Sequence, residues 1–201
     1  MEASKTSHRH FVIFKPYGYL SQFTSNDSKQ QSKKFLGSLA DFPVGIMAIG
    51  RLDEKSEGLL LLTTDGKMSA HINSQKVEKE YYAQVDGAIS WEAIQKLKTG
   101  VKISVEGTTY NTKPCKAFEL EAIPELPNRG KKIRDNRHGP TSWVSITLKE
   151  GKFRQVRKMT SAVGFPTLRL VRVRVGDIHI NNMQAGDVVE VLELGLGRVK
   201  S

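Results

Sequence analysis

Four consecutive leucines, Leu59 to Leu62, sit between Gly58 and an Asp65-Gly66 turn. So short an apolar run, closed by turn residues, reads as a buried strand. The apolar run Ile46 to Ile49 ahead of it reads as a second buried strand. Between them is a polar loop in which residues 51 to 57 gather three acids and two bases. Two anchored strands therefore hold one charged loop. Extended backbone through Arg51, Leu52 and Asp53 sends Arg51 and Asp53 to one side and Leu52 to the other, toward the core. Leu52 then pins the loop while Asp53 faces a cleft. The plainer reading is a solvated turn in which Asp53 or Ser56 caps a bend.

Short strands dominate the remaining pattern. His10 to Lys15 reads as a first strand stopped by Pro16, and Ser25 to Lys34 is a polar loop. A short helix follows Gly66 to about Asn73, and Glu80 to Val85 is a strand closed by Asp86-Gly87. Ser90 to Lys98 reads as a helix with Ser90 as N-cap and with Ile94 and Leu97 on one face. Residues 101–105, 109–112 and 116–123 suit strands, and 124–141, with three prolines and two glycines, is a long loop expected to order on RNA. Trp143 to Leu148 alternates as a strand does. A helix from Phe153 to Val163 aligns Val156, Met159 and Val163 on one stripe and Arg154, Arg157 and Lys158 on another. Leu168 to Val175 is a strand that places Arg172 and Arg174 along one face, and residues 177–180 and 187–192 close the sheet. Without a regular βαβ rhythm, this indicates an α+β fold with a mixed, largely antiparallel sheet.

The net charge of +10 is uneven, since residues 127–174 carry 13 Lys and Arg against two acids. A basic section of that kind points to a polyanion, with nucleic acid ahead of a membrane surface. The single cysteine, Cys115, excludes an internal disulfide and a cysteine-based zinc site and is expected to be a passive buried residue. No apolar run approaches membrane-spanning length, the first ten residues lack a signal core, and a cytoplasmic chain is expected. No Walker A loop, dinucleotide fingerprint or zinc-ligand spacing is present, so neither a metal nor a cofactor is expected.

The stretch Gly50-Arg-Leu-Asp53 with Gly58-Leu-Leu-Leu-Leu-Thr-Thr-Asp-Gly66 closely resembles the catalytic motif of the RsuA-type pseudouridine synthases. Lys15-Pro-Tyr-Gly18, Lys79-Glu-Tyr81 and Gly151-Lys-Phe-Arg-Gln-Val-Arg-Lys-Met159 are similar to further motifs of that family, in family order. The resemblance runs from about Phe11 to Glu193. It implies a pseudouridine synthase fold with two lobes, a shared sheet and a central cleft. Many members carry an N-terminal S4 RNA-binding domain, and none is expected here. The Ser-Gln-Phe-Thr after Leu20 resembles the short subtype acting on large-subunit (23S) ribosomal RNA. One catalytic domain over residues 11–195 is expected, between tails at 1–10 and 196–201.

The implied reaction breaks the C1′–N1 bond of uridine, turns the uracil, joins C1′ to C5 and removes the C5 proton. By the resemblance Asp53 is the catalytic residue, either as nucleophile at C1′ or as base at C2′. Both roles need a carboxylate, which a cation within about 4–6 Å favours, and the motif match gives that ion pair to Arg157. Tyr81 is carried over as the ring that packs on the flipped uracil, with Tyr82 pointing the other way into the core. Arg51 is expected to help hold the flipped nucleotide. Arg154, Lys158, Lys79, Arg172, Arg174, Lys131, Lys132 and Arg134, with Arg129 and Arg137, are the candidates for gripping RNA. A monomer is expected. Two rivals share these residues: a non-catalytic RNA-binding or ribosome-assembly factor, and a glycosidase, which needs two carboxylates and has Glu54 and Glu57 available.

Overall fold

A computed structural model describes residues 7–30, 32–74 and 77–196. Most of both expected tails, residues 1–6 and 197–201, lies outside them. In chain order the elements are β1 (His10–Lys15), β2 (Tyr19–Leu20), β3 (Lys34–Phe35), β4 (Met47–Ile49), β5 (Glu57–Thr63) and α1 (Gly66–Asn73). Then come β6 (Lys79–Asp86), α2 (Trp91–Thr99), β7 (Lys102–Val105), β8 (Thr108–Asn111) and β9 (Lys116–Glu119). Last are β10 (Thr141–Leu148), α3 (Gln155–Ala162), β11 (Thr167–Val175), β12 (Ile178–His179) and β13 (Val188–Val191).

Nine strands form one sheet in the order β13-β1-β5-β11-β6-β10-β9, with β12 on β11 and β4 on β5. The sheet is α+β in class, mixed and largely antiparallel; its parallel pairing joins β5 to β11 at Glu57 with Val171 and Gly58 with Arg172. That junction divides the molecule. On one side Val85, Leu97, Val144, Ile146 and Met159 pack β6, β10, α2 and α3 together. On the other, Val12, Phe14, Leu59, Leu61 and Val171 unite β1, β5 and β11, while Ile13, Leu60 and Leu62 fill the opposite sheet face. All seven residues of β5 are buried, as the leucine run requires.

Local chemistry sets the helix starts. The Asp65 carboxylate accepts from the Lys67 and Met68 amides at the start of α1, and Ser90 Oγ accepts from the Ala93 amide at the start of α2. Gly58 admits the close approach of β11, since a Cβ there would collide with the Arg172 backbone, and its φ of +104° suits glycine. The segment around Ile46 differs from its reading. β4 borders β5 and leaves Met47 exposed, so it is a short edge strand and not a buried one.

Candidate active site

The loop from Gly50 to Ser56 leaves β4, turns, and enters β5. Leu52 is 6% exposed, and its amide and carbonyl are both held by the buried Ser21 hydroxyl, at 2.9 and 2.8 Å. A turn closed from the Ser56 amide to the Asp53 carbonyl, 2.9 Å, follows at once. Leucine and serine thus clamp the backbone on the core side. Arg51 and Asp53 emerge on the other side and line a cavity of about 90 Å3 with Tyr81, Arg154 and Val156.

A second clamp comes from the segment after β1. Lys15 is fully buried, and its ammonium donates to the carbonyls of Pro16 (2.9 Å) and Tyr19 (2.7 Å). Burial pulls that ammonium down to about 7, although Glu57, Asp53 and Glu54 favour its charge. The turn so fixed docks on the loop, with the Gly18 amide donating to the Glu54 carbonyl at 2.8 Å.

The other wall comes from across the β5–β11 junction. Tyr81 stands on β6 opposite Ile146 of β10 and Arg172 of β11, and its flank packs on the α2–α3 core. Tyr82 packs on the opposite core. Arg154 occupies the N-cap of α3 with φ of +53°, an uncommon backbone for a non-glycine residue. Its Nη1 lies 3.6 Å from Asp53 Oδ2, and Arg157 Nε lies 3.9 Å from the same oxygen. At those distances the cations attract the carboxylate without hydrogen-bonding it.

Arg157 is held where it is. Its Nη2 donates to the Lys55 carbonyl (2.7 Å) and to Ser56 Oγ (3.4 Å), and its Nη1 to the Thr167 carbonyl (3.3 Å). It therefore ties α3 to the loop and to the start of β11. Burial and the neighbouring Arg154 lower the guanidinium from its ordinary value, against the pull of Asp53. Its Nε, buried and facing Asp53, has no hydrogen-bond partner among the described residues.

The loop's other acids are already committed. Glu57 is 1% exposed, accepts two bonds from Arg169 (2.9 and 3.2 Å), and has Arg129 at 3.4 Å. Glu54 pairs with Lys33 at 2.8 Å. Asp53 is the acid of this loop left without a hydrogen-bonded partner at the cleft among the described residues, and Glu54 and Glu57, the carboxylates a glycosidase would draw on, are paired. Glu150 also lines the cavity and accepts from Tyr110 (2.6 Å), the Lys113 amide (2.9 Å) and Gln155 (2.5 Å). Burial opposes its charge, and these bonds outweigh burial and leave the carboxyl lower than usual. Among the described residues no group of three or more His, Cys, Asp or Glu could hold a metal ion.

Several of the cations expected to grip RNA have partners inside the fold. Arg172 is 3% exposed and donates from Nε to the Leu59 carbonyl at 2.7 Å, across the parallel junction. Arg174 pairs with Glu80 (2.8 Å) and Glu78 (3.2 Å). Lys79 donates to the Val77 carbonyl at 3.2 Å, with burial and Arg172 lowering its ammonium to about 8. Arg134 pairs with Asp86 and donates to the carbonyls of Gly139 and Pro140, and Arg129 stacks on the Tyr17 ring at 4.1 Å. Arg134 and Arg129 thus tie the loop 124–141 to the body of the fold. Each of these cations satisfies a group inside the fold. Arg51, Lys131, Lys132 and Arg137 are exposed, with Arg137 paired to Asp135. Lys158 is half-buried on the cationic face of α3.

Sequence reasoning passes over Ser21 as a clamp and the Glu57–Arg169 pair. Ser21 belongs to the Ser-Gln-Phe-Thr stretch, where nothing in its neighbours marks it for a role. Cys115 donates from Sγ to the Leu97 carbonyl at 3.2 Å, and burial raises its thiol to about 11, which makes it inert.

Comparisons with known proteins agree with this geometry. A family model described as RNA pseudouridylate synthase matches residues 9–162. A Vibrio parahaemolyticus protein named "Ribosomal large subunit pseudouridine synthase E" is 42% identical over 188 residues, covering 91% of this chain and 74% of its own. A Xanthomonas axonopodis protein of the same name is 42% identical over 174 residues, covering 85% of this chain and 87% of its own. A crystal structure of a pseudouridylate synthase matches the fold with a TM-score of 0.70 at 24% identity, over 92% of this chain and 70% of that one. The chain belongs to the RNA pseudouridylate synthase family.

Proposed function

We propose that this protein isomerises specific uridines to pseudouridine in large-subunit (23S) ribosomal RNA, with Asp53 as the reacting carboxylate. The observation that carries the reading is Asp53 itself, facing a cleft between Arg154 at 3.6 Å and Arg157 at 3.9 Å with Tyr81 lining the same cavity. The names of the relatives in Vibrio and Xanthomonas support the choice of RNA.

The target uridine leaves its stack, at a cost of a few kcal/mol that cationic contacts offset. Arg51 and Arg154 meet the flipped nucleotide, and Tyr81 lies against the uracil, where an aromatic face supports a base without fixing its rotation. The reacting carboxylate either attacks C1′, displacing N1, or removes the C2′ proton. In the second route N1 leaves as a C1′–C2′ double bond forms; in either, the freed uracil turns, C5 bonds to C1′ as the aspartate departs or C2′ regains its proton, and C5 then gives up its proton to restore the ring. Arg157 holds Asp53 in register through the Lys55 and Thr167 carbonyls. Its unpaired Nε gains a partner if the 3.9 Å gap closes in the complex. The working unit in this reading is residues 11–195 of a single cytoplasmic monomer.

Pseudouridine mapping by carbodiimide and reverse transcription tests this on large-subunit ribosomal RNA treated with wild type or Asp53→Asn. A new stop with wild type alone is expected, since loss of an essential nucleophile or base costs at least about 10²–10⁴-fold in rate. Equal stops with both proteins remove Asp53 from the reaction. No stop with either leaves the RNA-binding scaffold as the better account.

A further inference from the structure

A second cavity, of about 340 Å3, shares Arg51, Asp53 and Arg154 with the catalytic cleft and adds Gln22, Gln30 and Phe153. Phe153 is the unusual member. It is 62% exposed, although burying a phenyl ring is favourable and the α3 core lies only a few residues away. The backbone holds it outward. Arg154 next to it adopts φ of +53°, an uncommon conformation, with no side-chain cap on the helix, and both side chains line the cavity with Arg51 to Glu54 of the loop. The Lys158 ammonium sits over the Phe153 ring at 5.1 Å, so one ring face carries a cation and the rest of the ring is open. Gln30 adds a side-chain oxygen that is buried without a hydrogen-bond partner among the described residues.

We propose that this cavity is a nucleobase subsite, in which the base next to the target uridine along the RNA strand stacks on Phe153. The proposal rests on the isomerase reading. Asp53 lines both cavities, so a uridine with C1′ at that carboxylate places its strand neighbour at the second one. A phenyl ring accepts the π-face of any base, Arg154 supplies charge for the linking phosphate, and the Gln22 and Gln30 amides can meet a base edge. An RNA strand brings a base π-face, a linking phosphate and hydrogen-bonding base edges together, one for each of the ring, the cation and the amides.

The test uses the mapped ribosomal RNA segment and two copies of it, each abasic at one neighbour of the target. Binding and single-turnover pseudouridine formation are measured for wild type, Phe153→Ala and Phe153→Tyr. Phe153→Ala is expected to bind intact RNA about tenfold more weakly, the usual scale for losing one base–aromatic stack. It is expected to show no further loss on one of the two abasic RNAs, where wild type loses about the same factor. Phe153→Tyr keeps the ring and is expected to match wild type, and the exposed position predicts an unchanged melting temperature for both variants. Additive losses on both abasic RNAs, or no loss with Phe153→Ala, overturn the subsite while wild-type turnover leaves the isomerase reading standing. An inactive wild type overturns both.

Discussion

Arg154 and Arg157 of α3 and Arg169, Arg172 and Arg174 of β11 belong to one cationic stretch of sequence, yet the fold uses them in opposite ways. Those of β11 end on acceptors inside the protein: Arg169 on Glu57, Arg172 on the Leu59 carbonyl, Arg174 on Glu78 and Glu80. At α3, Arg154 lines the cavity 3.6 Å from Asp53, and Arg157, 3.9 Å from the same carboxylate, keeps its Nε turned to it while its other nitrogens hold the Lys55 and Thr167 carbonyls. The net charge of a segment therefore overstates its grip on RNA until each cation's partner is known. Cations spent wholly on internal acceptors should govern stability, and those that face Asp53 should govern chemistry and affinity.

The largest expected effect lies on the inward side. Glu57→Gln leaves Arg169 and Arg129 buried without their counter-ion, which should cost about 3–5 kcal/mol. For a chain of this size that lowers the melting temperature by roughly 10 °C. Denaturant unfolding with an unshifted midpoint would mean that the pair is not what joins β5 to β11. Arg157→Lys should do the reverse. A lysine cannot hold the Lys55 and Thr167 carbonyls while facing Asp53, and misplacing a reacting group by about 1 Å can cost 10²-fold. Single-turnover rate should fall by about that factor while the melting temperature moves by only a few degrees. A rate fall matched by an equal loss of stability would place Arg157 with the β11 set.

Lys15 sharpens the contrast through pH. Its folded value of about 7 lies below the ordinary 10.5, so between those limits the unfolded chain holds the extra proton. Stability from this group therefore rises with pH across that window, and its penalty is complete below about pH 7. Lys15→Met removes the titration. The difference in unfolding free energy between wild type and variant should shrink from about pH 7 to about pH 10. A constant difference would show that the buried ammonium is not destabilised by its site.

What the sequence made legible was whatever depends on near neighbours. The leucine run forms β5 without an exposed residue, and Ser90 caps the helix that its spacing predicts. Alternation around Leu52 correctly turns it to the core and leaves Arg51 and Asp53 facing the cavity. The errors depend on pairing at long range. The strand read over 116–123 stops at Glu119, and the apolar run at Ile46 is an edge because β1 and β11 take the remaining places beside β5. The alternation of Arg172 and Arg174 with valines is a true strand pattern, but what waits on the far side is a carbonyl from β5 and two acids at β6. Ser21 leaves no local trace at all, since its partners are the backbone of Leu52.

The loop 124–141 repeats the comparison on a smaller scale and carries the smallest expected effect. Arg134 is turned in to Asp86 and two carbonyls, while Lys131 and Lys132 are exposed with no partner among the described residues. If exposure decides the role, the double change of Lys131 and Lys132 to Ala should weaken RNA binding only severalfold. It should also flatten the log–log salt plot by about 0.7 to 0.9 for each phosphate no longer neutralised, without moving the melting temperature. Arg134→Ala should leave that slope alone and lower the melting temperature slightly, because its pair is only partly buried. Equal changes of slope in both proteins would mean that RNA pulls Arg134 away from Asp86, and the inward set would then have to be redrawn with one member fewer.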